Sequence, residues 1–191
     1  MSAGAGRFLT GGTFGHVVRM TATGAVGLTF IFLVDAANLV WLSLLGDQQL
    51  VAAIGFAYAV QFFTVSIGVG LMVAATAVVS RSIGAGDRAR ARRQAGAAVA
   101  IAVAVLGVVS VLVIAFRHPL VEMAGAQGET ARLAARYLFW SVPSLVAMAA
   151  AMVMSGTMRA DGYGAKAMYV TLSGGTTLML FDPFLIYYSG W

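Results

Sequence analysis

The composition of this chain argues against a soluble globular protein. Of its 191 residues, 60% are hydrophobic and only 10% are charged, and the mean hydropathy is +0.89. A soluble domain carries about 25% charged residues, whereas a bilayer accepts this much apolar surface. The chain has no cysteine, which excludes disulfides and thiolate metal sites. The net charge of +5 is almost all arginine, and we assign it to membrane-flanking loops rather than to nucleic-acid binding.

The chain begins with a Gly-rich, polar segment over residues 1–20, which lacks the apolar core of a secretory signal. We predict that it is a cytosolic tail and that residues 21–191 form a transmembrane helical bundle. Five apolar stretches are each near or above the roughly 20 residues that span a bilayer. The predicted spans are 21–45, 50–80, 95–116, 131–158 and 167–188. The run 98–116 does not alternate as barrel strands do, so the predicted fold class is an all-α, polytopic helix bundle.

The arginines predict the orientation of the spans. The segment between the second and third spans carries five of them: Arg81, Arg88, Arg90, Arg92 and Arg93. The loop before the fifth span adds Arg159 and Lys166, and the tail adds Arg7 and Arg19. Basic loops stay in the cytosol. We therefore predict that the N-terminus lies in the cytoplasm. The expected location, for a multi-pass protein, is the prokaryotic plasma membrane.

Two carboxylates lie inside predicted spans. Asp35 is in the middle of FIFLVDAANLVWL, and Asp182 is in TTLMLFDPFLIYY. An aspartate at a helix centre costs about 2.5–3.5 kcal/mol on insertion scales, so such a residue indicates a function. Both lie about fifteen residues, roughly 22 Å, beyond the cytosolic ends of their spans. A pair that shares one cavity could exchange a proton, or could hold Na⁺ with its oxygens when ionised. The alternative is a buried hydrogen bond that joins two helices.

The predicted cavity has further candidate residues. Pro143 and Pro183 each remove a backbone donor within a span, so we predict kinks or hinges there. Asn38 lies one turn from Asp35 and is a candidate hydrogen-bond partner for it. The candidate lining residues are Asn38, Gln61, Thr64, Tyr137 and Met179. Packing between helices is the alternative role for such residues.

Several chemistries have no support in the sequence. There is no GxxxxGK[ST] phosphate loop, no His or Cys cluster and no pair of a nucleophile with a base. We therefore expect no enzyme activity and no cofactor other than a coupling ion. Because the chain has no nucleotide site, an ion gradient would have to supply the energy for transport.

Four stretches in this order resemble the multidrug and toxic compound extrusion (MATE) transporters. They are VDAANLVWLSLLGDQQLVAAIGFA, VSRSIGAGDRARARRQ, MRADGYGAKAM and LFDPFLI. The resemblance implies twelve helices in two six-helix lobes, of which this chain supplies about five of the first lobe. It also implies an ion-linked site whose aspartates fall on Asp35 and Asp182. The family often has an asparagine one turn before the second aspartate, where this chain has Leu178. The substitution weakens a Na⁺ site at the two aspartates and leaves proton coupling intact.

The expected function is secondary antiport, in which amphipathic or cationic drugs leave in exchange for H⁺ or Na⁺. The expected partners are the bilayer, the small-molecule substrate, the coupling cation and a second lobe. One alternative is a flippase for lipid-linked substrates, although the deep charges here are acids rather than phosphate-binding cations. The other is a truncated, non-transporting fragment, because the last span ends at the end of the sequence.

Overall fold

The computed structural model describes residues 13–44, 46 and 48–188, and within the helices it leaves the side chains of residues 13, 28, 42, 178 and 181–188 undescribed. The described residues form six α-helices and no strand. The helices are α1 (Thr13–Ser43), α2 (Gln48–Gly84), α3 (Arg88–Ala115), α4 (Arg117–Met123), α5 (Gly128–Ala160) and α6 (Gly164–Tyr188). The all-α fold class is confirmed.

Four of these helices are long and apolar enough to cross a membrane, judged by length and composition over the described residues. The candidate spans are Phe14–Trp41, Gln48–Gly84, Arg88–Ala115 and Gly128–Ala160. They correspond to the first four predicted spans. The fifth predicted span corresponds to α6, which continues to Tyr188.

The helices extend beyond the apolar stretches that predicted them. The helix α1 begins at Thr13, so the second part of the predicted tail is helical, while residues 1–12 lie outside the described chain. The basic segment after α2 is also mostly helical, because α3 begins at Arg88 and the connection is only residues 85–87. Asp87 caps α3, since its carboxylate accepts a hydrogen bond of 2.8 Å from the backbone N–H of Arg90. Hydropathy marks where lipid contact ends, whereas arginine continues a helix readily.

One helix was not predicted. The short α4 lies in the loop between the third and fourth predicted spans. Its end is followed by Gly125, whose φ of +104° is in the left-handed region that favours glycine. Seven residues are too few for a span, so α4 adds no crossing of the membrane.

The chain divides into two compact units. One contains α1, the end of α5 from Met158 and α6, and the other runs from Gln48 to Thr157. The second unit has a core of buried side chains from α2, α3, α4 and α5, in which Leu138, Val142 and Val121 are fully buried. The predicted intramembrane acids, Asp35 and Asp182, both belong to the first unit.

Candidate ion-coupling site

The two acid-bearing helices, α1 and α6, pack against each other. A Cβ added at Gly175 would lie 2.7 Å from Cε1 of Phe30 and 3.2 Å from Cγ2 of Val34. Nearer the start of both helices, a Cβ at Gly164 would lie 3.3 Å from Oγ1 of Thr23. Later residues of α1 therefore meet later residues of α6, which means that the two helices run parallel. Glycine at these positions permits close approach of the helices.

The same contacts set the level of the two acids. Asp35 directly follows Val34, and Asp182 lies two turns beyond Gly175 in α6. With the α1–α6 register continued at 1.5 Å per residue, the backbone of Asp182 lies between one and two turns, about 6–9 Å, further along than that of Asp35. Counting residues from the span ends had placed them level, because such a count ignores the register between helices. The side chain of Asp182 lies outside the described part of the chain.

The surroundings of Asp35 differ from one sequence expectation. Its side chain is exposed within this structure, and Asn38 is partly buried. No hydrogen bond joins these two side chains among the described residues. Met179, which lies one turn after Gly175, is 45% exposed. An exposed carboxylate on a membrane helix is accessible to an ion or to a further protein surface.

Three of the candidate lining residues belong to the other unit, and two of them, Gln61 and Tyr137, connect its helices. The amide nitrogen of Gln61 donates a hydrogen bond of 2.6 Å to Oγ of Ser141, and that hydroxyl donates at 2.8 Å to the carbonyl of Tyr137. The rings of Tyr58 and Tyr137 meet edge to face, with centroids 6.5 Å apart. These hydrogen bonds and this ring contact join α2 to α5 within an otherwise apolar interface.

Thr64 is the third of these residues and is fully buried. Its hydroxyl donates to the carbonyl of Val60 at 3.4 Å. It lines a void of about 10 Å³ together with Gly68, Leu106 and Met152. Such a void is at the limit for one water molecule, so Thr64 is packed within this unit, and its place in a substrate cavity stays a prediction.

The helices continue through both predicted hinges. Pro143 lies inside α5, which is a single helix from Gly128 to Ala160. The α6 helix runs past Pro183 to Tyr188. Proline leaves the carbonyl four residues earlier without its usual donor, so both positions keep a local weakness at which bending costs less. The hinge role of both prolines stays a prediction.

We expect the Gly175→Leu substitution to separate α1 from α6 and to lower the thermal stability of the protein in detergent. The added side chain would overlap Phe30 and Val34, and overpacking of this kind costs about 1–3 kcal/mol. Gly174→Leu is the matched control, because a Cβ at Gly174 meets nothing within 4 Å. Melting curves of the two purified variants provide the measurement. Equal melting temperatures for the two would contradict the α1–α6 packing described here.

Some residues near this helix pair were not predicted as contacts. The guanidinium of Arg159, at the end of α5, lies 3.6 Å from a Cβ built on Gly24 and 4.0 Å from one built on Gly27. The sequence had marked Arg159 only as a cytosolic loop charge. The GxxG spacing on α1 is the one signal for this contact, and by itself it does not identify the partner.

Together these features define a polytopic α-helical membrane protein in which two parallel, acid-bearing helices pack through glycine. The chain belongs to the MatE family, whose family model matches residues 24–184. The four stretches that carried the resemblance all fall within or overlap this range. A comparison with curated protein sequences found no significant match.

Solved structures with the same fold include a MOP superfamily transporter from Pyrococcus furiosus, described with a binding pocket of reverse polarity that suggests a different function. It is 24% identical, has a TM-score of 0.90, and the match covers 100% of this chain and 42% of that chain. A MATE in complex with MaD3S is 24% identical, with a TM-score of 0.89 and the same coverage. An outward-facing multidrug resistance MATE family transporter is 24% identical, with a TM-score of 0.85, over 92% of this chain and 39% of that chain. At this identity the likeness shows the fold alone, and this chain spans less than half the length of these proteins.

Proposed function

We propose that this chain forms part of a secondary antiporter that exports amphipathic, cationic compounds in exchange for H⁺ or Na⁺. The observation that carries the proposal is the close parallel packing of α1 and α6 at Gly175, since it brings the helices of the two intramembrane acids together. Membership of the MatE family supports the transport of small molecules. The protein would lie in the plasma membrane with its N-terminus in the cytoplasm, and a second lobe would complete the substrate cavity.

The coupling step in this proposal uses Asp35 and Asp182. A carboxylate in a membrane can bind a proton or a hydrated cation, and neutralisation removes the cost of its charge in lipid. Binding of the ion would then favour one packing of α1 and α6 over another. A transporter can use that difference for alternating access, because lobes that rock around a central site need only a small bias between two states.

The choice between H⁺ and Na⁺ follows from the number of oxygen ligands that the site can offer. Na⁺ is a hard cation that takes several oxygen ligands, whereas a proton needs one carboxylate. Leu178 offers no oxygen on α6 one turn before Asp182. We therefore place proton coupling first and Na⁺ coupling second.

The test is dye efflux by the complete gene product under separately imposed gradients. The protein is expressed in cells that lack their own drug exporters, and the export of ethidium is followed by fluorescence. We expect a proton gradient to drive export at constant ATP, and a protonophore to stop it. Export that continues after both gradients collapse would contradict the antiporter. Export driven by Na⁺ alone would retain the antiporter and reverse the order of the two ions.

A further inference from the structure

A basic pocket lies at the end of the α1–α6 pair that is remote from the two acids. The first turns of α1, the α5–α6 connection and the first residues of α6 line an open cavity of about 370 Å³. We call it the basic pocket. Its lining residues include His16, Arg19, Thr23, Tyr163, Gly164 and Lys166. Ligand pockets in proteins have volumes of about 300–1,000 Å³, so this cavity is large enough for a polar headgroup.

The charge in and around the basic pocket is positive. Arg19 and Lys166 are both exposed in it, and Nζ of Lys166 lies 4.7 Å from the centroid of the Tyr163 ring. Arg159, at the end of α5, lies close to α1 at Gly24, about one turn beyond Arg19. The same connection carries one acid, Asp161, which has an interaction of its own. Among the described residues, the three cations Arg19, Arg159 and Lys166 outnumber this one acid and leave the surroundings of the pocket net positive.

The backbone adds donors to these side chains. The α6 helix begins at Gly164, and the first backbone hydrogen bond of its opening turn runs from the N–H of Ala167 to the carbonyl of Tyr163. The N–H groups of residues 164–166 therefore have no partner within the helix. Gly162, with a φ of +83°, turns the chain just before α6. The helix therefore begins, with these N–H groups, at the pocket. Cationic side chains combined with a helix N-terminus are the donor set that phosphate oxygens accept.

The position of the basic pocket along the helices indicates which phosphate-bearing ligand could reach it. Arg19 lies two residues before the apolar stretch of α1, and Lys166 lies one residue before that of α6. Both cations therefore lie at the level of the lipid headgroups rather than in bulk solvent or in the hydrocarbon core. Anionic lipids of the cytoplasmic leaflet attract such cations, by about 1 kcal/mol for each Lys or Arg near the surface.

We propose that the basic pocket binds the phosphate of an anionic glycerophospholipid from the cytoplasmic leaflet. Arg19 and Lys166 hold the phosphate oxygens, and the first N–H groups of α6 donate to the same oxygens. The headgroup then bridges the start of α1 and the start of α6. Bound lipid would thus stabilise the pairing of the two helices whose other ends carry Asp35 and Asp182. This proposal does not depend on antiport, because it concerns only lipid binding.

The test is a lipid titration of the full chain, purified in a neutral detergent and followed by native mass spectrometry. The probes are phosphatidylglycerol and phosphatidylcholine with the same acyl chains. We expect phosphatidylglycerol to bind at least about tenfold more tightly. Arg19→Gln and Lys166→Gln should each lower its affinity by about tenfold, the size expected for a hydrogen bond to a charged group. Lys166→Arg should retain binding, because it keeps the charge and the donors.

Arg92→Gln is the matched control, since Arg92 is an exposed cation of α3 that does not line the pocket. It removes the same charge and should leave the affinity unchanged. Equal losses for the control and the pocket variants would overturn the proposal, and so would equal binding of the two lipids. Displacement of phosphatidylglycerol by millimolar inorganic phosphate would also overturn the lipid as ligand. Circular dichroism of each variant keeps a loss of folding apart from a loss of binding.

Discussion

The Asp35→Asn substitution is expected to reduce dye export by the complete gene product to background, while the amount of protein in the membrane stays normal. Asparagine has the same shape as aspartate, but it cannot ionise and so cannot release a proton or attract Na⁺. It is also cheaper to place in a membrane than an aspartate, whose insertion costs about 2.5–3.5 kcal/mol. Ethidium efflux per unit of membrane-inserted protein is the measurement.

Asp87→Asn is the control for this experiment. Asp87 is an exposed loop residue that caps α3, and asparagine caps helices about as well as aspartate, so efflux should be unchanged. Normal efflux from Asp35→Asn would reject the coupling role of this carboxylate. Loss of the protein from the membrane would instead identify Asp35 as part of a structural hydrogen bond, the alternative that the sequence left open.

A second large effect is expected from Gly156→Ala, which adds one methyl group where α5 crosses α2. The Cβ of alanine would lie 2.5 Å from Oγ1 of Thr76, 2.8 Å from Cγ of Met72 and 3.3 Å from the carbonyl oxygen of Met72. That hydroxyl already donates at 2.7 Å to the same carbonyl, so the crossing has little freedom to adjust. We expect a loss of about 1–3 kcal/mol in stability, seen as a lower melting temperature in detergent.

Gly70→Ala separates this clash from the general effect of alanine. Gly70 also lies inside a helix, α2, but a Cβ there meets nothing within 4 Å. Alanine favours helix over glycine by up to about 1 kcal/mol, so the melting temperature should stay the same or rise. A Gly156→Ala variant that melts no lower than Gly70→Ala would contradict the close crossing of α2 and α5.

Much of the fold could be predicted from local patterns, because lipid forces long apolar stretches into helices. The predicted spans correspond to α1, α2, α3, α5 and α6. The helix ends were less accurate: the segment before the third span was expected to be a loop, but α3 begins at Arg88. Hydropathy predicts which residues contact lipid and which contact water, whereas the end of a helix depends on capping and on helix propensity. The short α4 was not predicted, because seven residues are too few for a recognisable helical pattern of apolar residues.

The partners of the candidate residues depended on three-dimensional packing. Gln61, a predicted lining residue, donates to Ser141, which is 80 positions away in the chain. Local sequence carries no information about a contact at that separation. Gly174 and Gly175 are neighbours in the sequence, but only the structure shows that Gly175 is the residue that meets Phe30.

The sequence by itself determined that this protein is a helical membrane protein and placed acids in two of its predicted spans, because burial in lipid penalises charge and unpaired backbone wherever they occur. Only the tertiary structure decided that α1 and α6 lie side by side, that their acids are offset by one to two turns, and that Arg19 and Lys166 share a pocket. Those relations depend on the register between helices, which results from the shapes of side chains that are far apart in the chain.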